Sequence, residues 1–149
     1  MKELVFALEF KGSAAPVAGS EGKLRAKTTA GGQTLRSVLK PDGIQATVES
    51  AGGDAATFES EVDIVGEGAF VESGTITYGR AGRITFRTLG RGVIGASPVE
   101  GQQRGAVIWE VTGGDGRFRT ARGLITSNFT VGADGQVTDD QFARLYFDA

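Results

Sequence analysis

Residues 111–129 read VTGGDGRFRTARGLITSNF. The question they pose is why three glycines and an aspartate stand ahead of Phe118, with Arg122, Gly123 and an alternating run behind it. Glycine takes positive φ at no steric cost and aspartate bonds nearby backbone, so GGDG (113–116) reads as a chain reversal. Phe118 then enters a core, and the run after it reads as a strand. An anion nest is the poorer reading of the same glycines, because Asp115 would repel an anion. Asp115 is left as either a turn residue or a carboxylate at the mouth of a small barrel, and Arg122 as a cation whose direction is open.

Working outward, the same grammar recurs along the chain. Of 149 residues, 24 are Gly and only 3 are Pro, and the glycines separate short runs rich in Val, Ile, Thr and Phe. That pattern is all-β punctuation. The opening MKELVFALEF sets Leu4, Phe6, Leu8 and Phe10 on one face and Val5, Ala7 and Glu9 on the other, the period of two that a pleated strand requires. Further strands are predicted near 23–29, 35–40, 43–50, 57–65, 70–78, 83–89, 106–112, 118–122, 124–131 and 136–147. KPDG (40–43) and GADG (132–135) are hairpin turns, and 95–105 is the longest loop, suited to a rim or lid. DDQFARL (139–145) alternates and is read as a closing strand rather than a helix. GEGAFVESGTIT (66–77) and GDGRFRTARGLIT (114–126) form a weak repeat of two hairpins, with one extra residue in the second copy that suits a β-bulge beside Arg122.

One domain over residues 1–149 is expected, large enough to bury roughly 70% of its unfolded surface. The fold class is all-β: a closed antiparallel β-barrel of eight or slightly more strands, with short turns and little helix.

Composition removes much chemistry. With 16 Lys and Arg against 18 Asp and Glu, the net charge of −2 offers no attraction for nucleic acid. Cysteine and histidine are both absent. Thiolate sites, a Ser-His-Asp triad and histidine-held metals are therefore excluded, and no metal or other cofactor is expected. All lysines (Lys2, Lys11, Lys23, Lys27, Lys40) lie early, and none is placed for Schiff-base chemistry. GRGVIG (90–95) matches a dinucleotide-binding pattern but leads into ASPVEG rather than a helix, so it carries no phosphate site. No apolar run is long enough for a membrane helix, and the opening ten residues are too short and charged for a signal peptide, which sets no membrane partner and a cytoplasmic location as the expectations.

VTGGDGRFRTARG (111–123) resembles the G-G-T-G-x-F-x-x-A-R-G segment of the dirigent proteins. It also resembles, more loosely, the G-G-x-G-x-F-x-x-A-x-G segment of plant allene oxide cyclases. The strong match covers about thirteen residues, with a compatible strand pattern over the last part of the chain. The resemblance implies a bacterial-type relative of an eight-stranded barrel around an apolar cavity, assembled as a homo-oligomer (a trimer by analogy, a dimer as the alternative). It also implies a barrel that steers the cyclisation or isomerisation of an apolar small molecule. Carried across, it points to Arg122 and Asp115 at the cavity and to Glu9 as a first-strand carboxylate. Asp115 stands where the motif commonly has Thr.

The residues add their own candidates. Tyr78, Arg87, Trp109, Asn128 and Tyr146 lie on predicted strands and are candidate ligand contacts; packing is the alternative for each aromatic and an outer, solvated face for each charge. Trp109 shares a face with Val107 and Val111, and Tyr146 shares one with Phe142 and Arg144. The functional expectation is a small-molecule-binding barrel in which shape does most of the work. A non-catalytic ligand carrier, or a structural oligomer with a packed interior, is the alternative, and a lectin-like sandwich is a weaker third.

Overall fold

The structure, a computed structural model, describes residues 1–148. Period-two alternation resolves into eleven strands: β1 (Lys2–Pro16), β2 (Lys23–Ala30), β3 (Gln33–Lys40), β4 (Gly43–Ser50), β5 (Ala56–Gly66), β6 (Ala69–Tyr78), β7 (Gly82–Thr88), β8 (Gly92–Ala96), β9 (Gln102–Gly114), β10 (Arg122–Gly132) and β11 (Gln136–Phe147). Eight of them, in the order β1-β2-β5-β6-β7-β9-β10-β11, form a ring that closes through β11 on β1. Every pairing is antiparallel. The expected closed barrel is therefore what the chain forms. β8 is an extra strand outside the ring, paired with β9 and with the start of β6, and β3 with β4 makes a separate hairpin arm.

Closing eight strands demands sharp coiling, and glycine permits it at inward-facing positions. A Cβ on Gly12 in β1 would overlap the Lys27 carbonyl, and one on Gly74 in β6 would overlap the Glu59 carbonyl. Neighbouring backbone occupies the space that a side chain would need. KPDG and GADG do turn β3 into β4 and β10 into β11, as expected.

Three expectations need correction. Residues 118–122 are not a strand: a 3-10 turn, Gly116–Phe118, carries the chain from β9 into β10. The repeat is thus one tight hairpin (β5 to β6) and one wide connection. The bulge lies at Thr112, where the register between β7 and β9 shifts, and not beside Arg122; another, at Val65, stands just ahead of the first copy. The loop expected over 95–105 shrinks to 97–101, because the start of β9 pairs on both sides, with β8 and β10. Two-sided pairing overrides the poor strand propensity of a Gly- and Gln-rich segment.

The interior divides into halves. At the end where β1 begins and β11 finishes, Phe118 packs on Tyr78 (ring centroids 5.4 Å) and Phe147 (6.0 Å), and Tyr78 on Phe6 (5.2 Å). Phe118 drops from the 3-10 turn and is 5% exposed, so the stretch that signals the fold is the plug of this end. Trp109 packs at a tilt on Phe86 (4.6 Å) and Phe58 (5.2 Å) to form a floor at mid-barrel. Beyond it the other half is open.

Candidate active site

The open half holds a cavity of about 330 Å³, at the small end of ligand pockets. Ala26, Val62, Phe70, Ile94, Phe129 and Val137 give it apolar walls, with Trp109 and Phe58 at the floor. Two carboxyl groups break that surface. Their presence follows from strand parity: Glu72 alternates inward with Phe70, Gly74 and Ile76 on β6, and Asp139 with Gln141, Ala143 and Leu145 on β11.

Glu72 is fixed by three hydrogen bonds with two neighbours. Its backbone N–H donates to Thr88 Oγ1 (2.7 Å), and the Thr88 hydroxyl donates back to the Glu72 carbonyl (3.0 Å). Ser60, inward on β5, donates its hydroxyl to Glu72 Oε2 at 2.5 Å. Burial pushes the Glu72 carboxyl up to about 7, and the Asp139 charge adds to this. The Ser60 bond and the nearby Trp109 N–H oppose the shift without cancelling it. That indole N–H nonetheless lacks the geometry of a hydrogen bond to any protein group.

Asp139 accepts from Ser127 Oγ (2.5 Å) at one oxygen and from Gln141 Nε2 (2.8 Å) at the other. Burial lifts it to about 6 in spite of both bonds. Both groups therefore hold their protons to higher pH than exposed carboxyls do, and a charge on Asp139 helps to keep the proton on Glu72. Between about pH 6 and 7 the cavity presents an acid and a base to one apolar volume. Two donors complete the lining, since Thr28 Oγ1 and Trp109 Nε1 are buried there without a protein partner.

Of the residues singled out from the sequence, only Trp109 lines this cavity. Tyr78 points inward but lies in the packed half, against Phe6 and Phe118, with its hydroxyl buried and unpartnered. Arg122 does not reach the interior: it stands on the outer face beside Tyr146, its register partner, with its guanidinium near Met1 Sδ. Tyr146 is likewise outward. Asp115 braces the turn, accepting from the Arg83 backbone N–H (2.9 Å) and pairing with its guanidinium (3.1 Å). Arg87 pairs with Glu110 on the outer surface (3.4 Å), and Asn128 faces an outer groove. Glu9 lies outside against Asp140, whose carboxyl is held up to about 6 by partial burial and then by the Glu9 carboxyl beside it. The outward parity of Arg122, Arg87, Asn128 and Tyr146 is the common physical reason.

Glu72, Asp139, Ser60, Ser127 and Thr28 were missed. The usable signal was parity, a charged residue in step with aromatic and aliphatic neighbours on one strand face.

No helix is long and apolar enough to cross a membrane, and no cluster of three or more metal-ligating side chains occurs, among the described residues. No family model matches the chain, and no curated protein or solved structure matches it either. The class is thus defined by geometry alone: a closed antiparallel β-barrel with an apolar cavity that bears two buried carboxyls.

Proposed function

We propose that the open half of the barrel binds an apolar small molecule and guides its isomerisation or cyclisation through proton transfer with Glu72 and Asp139. The observation that supports this is a single apolar cavity faced by two carboxyls of unequal proton affinity. The Asp139 carboxylate takes a C–H proton activated by an adjacent carbonyl, while protonated Glu72 gives its proton to the carbonyl oxygen. Return of one proton to a different carbon and of the other to Glu72 leaves an isomer and restores both groups. Walls that hold a flexible molecule in its reactive shape contribute the remainder.

The test is native mass spectrometry of the purified protein for bound small molecules, followed by incubation of the bound compound in D₂O. Deuterium is expected in its C–H bonds, with uptake slowed about 100-fold or more in Glu72→Gln. Binding without exchange makes the protein a carrier, a reading favoured by the fact that both Asp139 oxygens already accept bonds from Ser127 and Gln141. No bound compound and no stabilisation by apolar compounds would remove the ligand reading.

We further infer that copies of the chain associate through the hairpin arm. β3 and β4 present Leu35, Leu39, Ile44, Ala46 and Val48 on one face, and Leu39 and Ile44 are 80% and 71% exposed. A two-stranded hairpin is marginal alone, and apolar surface of this kind marks an interface. The groove at the root of the arm, where Leu35 meets Ala7, Ile108 and Phe142, offers a second copy matching apolar surface, and a net charge of −2 raises little repulsion between copies.

A further inference from the structure

The cavity's chemistry is narrower than its apolar walls suggest. Buried polar groups in folded proteins are almost always hydrogen-bonded, so each exception calls for an explanation. Two of the three exceptions, the Trp109 N–H and the Thr28 hydroxyl, line the same cavity from β9 and β2, while the third, the Tyr78 hydroxyl, lies in the packed half. An indole nitrogen only donates. No protein acceptor meets it in bonding geometry, although the Glu72 carboxyl lies beside it, and an acceptor oxygen placed in the cavity would satisfy it.

The same lining limits the charge of that guest. No Lys or Arg faces the cavity, while Glu72 and Asp139 both do. A carboxylate or phosphate would add a negative charge to a buried site that has no cation to compensate it. An ammonium would suit the carboxylates but brings only donors and leaves the indole N–H unpaired. We propose that the cavity is selective for an uncharged, apolar molecule bearing one acceptor oxygen of carbonyl type, held by the Trp109 N–H and the Thr28 hydroxyl beside Glu72. This rests on the ligand-binding reading above and specifies its substrate class.

Trp109 is the sole tryptophan of the chain, so its indole N–H gives one NMR signal that reports directly on the site. The probes are four molecules built on one cyclohexyl ring: the methyl ketone, the carboxylate, the primary amine and ethylcyclohexane. Each is titrated into the ¹⁵N-labelled protein and into Thr28→Val, a substitution close in shape that deletes one donor. The ketone is expected to bind about tenfold or more tightly than ethylcyclohexane and to move the indole N–H downfield. Thr28→Val should lose most of that preference while ethylcyclohexane binds unchanged.

Ketone and hydrocarbon binding equally well would overturn the donor assignment and leave the ligand-binding reading intact. Tightest binding by the amine or the carboxylate would overturn the uncharged class. Failure of all four to bind overturns both this inference and the cavity reading beneath it.

Discussion

The barrel takes Glu72 and Asp139 out of water and raises the proton affinity of both carboxyls. In the unfolded chain they ionise near their ordinary 4.5 and 3.8; folded, near 7 and 6. Between those values the folded state binds more protons than the unfolded state, so their contribution to stability falls as pH rises from about 4 to about 7 and then levels. For Glu72 the fall amounts to roughly 3 kcal/mol. Denaturant titrations of the wild type and Glu72→Gln at pH 4.5 and 7.5 should show the variant losing distinctly less stability over that interval; equal losses would place Glu72 in a wetter site than described. The sequence contained the parity of this residue in FVESG (70–74) but gave no reason to prefer it. Charged side chains so commonly face solvent that Glu72 reads as an outer residue until the ring closes around it. Trp109 was legible because bulky aromatics seek the interior by default, and Val107 and Val111 agreed with it.

At the scale of elements, strand pattern and turn chemistry carried far. β2, β4, β6, β10 and β11 lie close to the expected ranges, with KPDG and GADG at two of the turns, while β1 runs on to Pro16 beyond the opening ten residues. What alternation could not show is which glycines mark turns and which mark corners of the barrel. Gly74 sits inside a strand, and its missing side chain admits the Glu59 carbonyl. Gly74→Ala should destabilise the fold by about 3 kcal/mol or more, read as a lowered denaturant midpoint; a neutral result would mean that β5 and β6 separate there easily. The arm is a second case. Its alternation was as clear as that of any ring strand, yet no ring strand covers it, because pairing choices are long-range and periodicity is local. Leu39→Ser with Ile44→Ser should leave the unfolding midpoint of the barrel nearly unchanged and shift light-scattering mass toward the monomer. An unchanged mass would assign association to another surface or to none.

Across the whole molecule, one barrel does two jobs in two halves. The half plugged by Phe118, Tyr78, Phe6 and Phe147 supplies packed core, and the half beyond the Trp109 floor keeps a lined cavity with its carboxyls. The GGDGRF stretch closes the end opposite the cavity. Arg122 and Asp115 lie at that end with it, away from the cavity lining. The central claim is that an acid and a base share this cavity at near-neutral pH. Its most direct test is a ¹³C NMR titration of the side-chain carboxyl carbons, with Glu72→Gln and Asp139→Asn to assign the two signals. Midpoints near 7 for Glu72 and near 6 for Asp139, both moved by a bound apolar ketone, are the predicted result. Both carboxyls titrating at ordinary values near 4, indifferent to ligand, would contradict it.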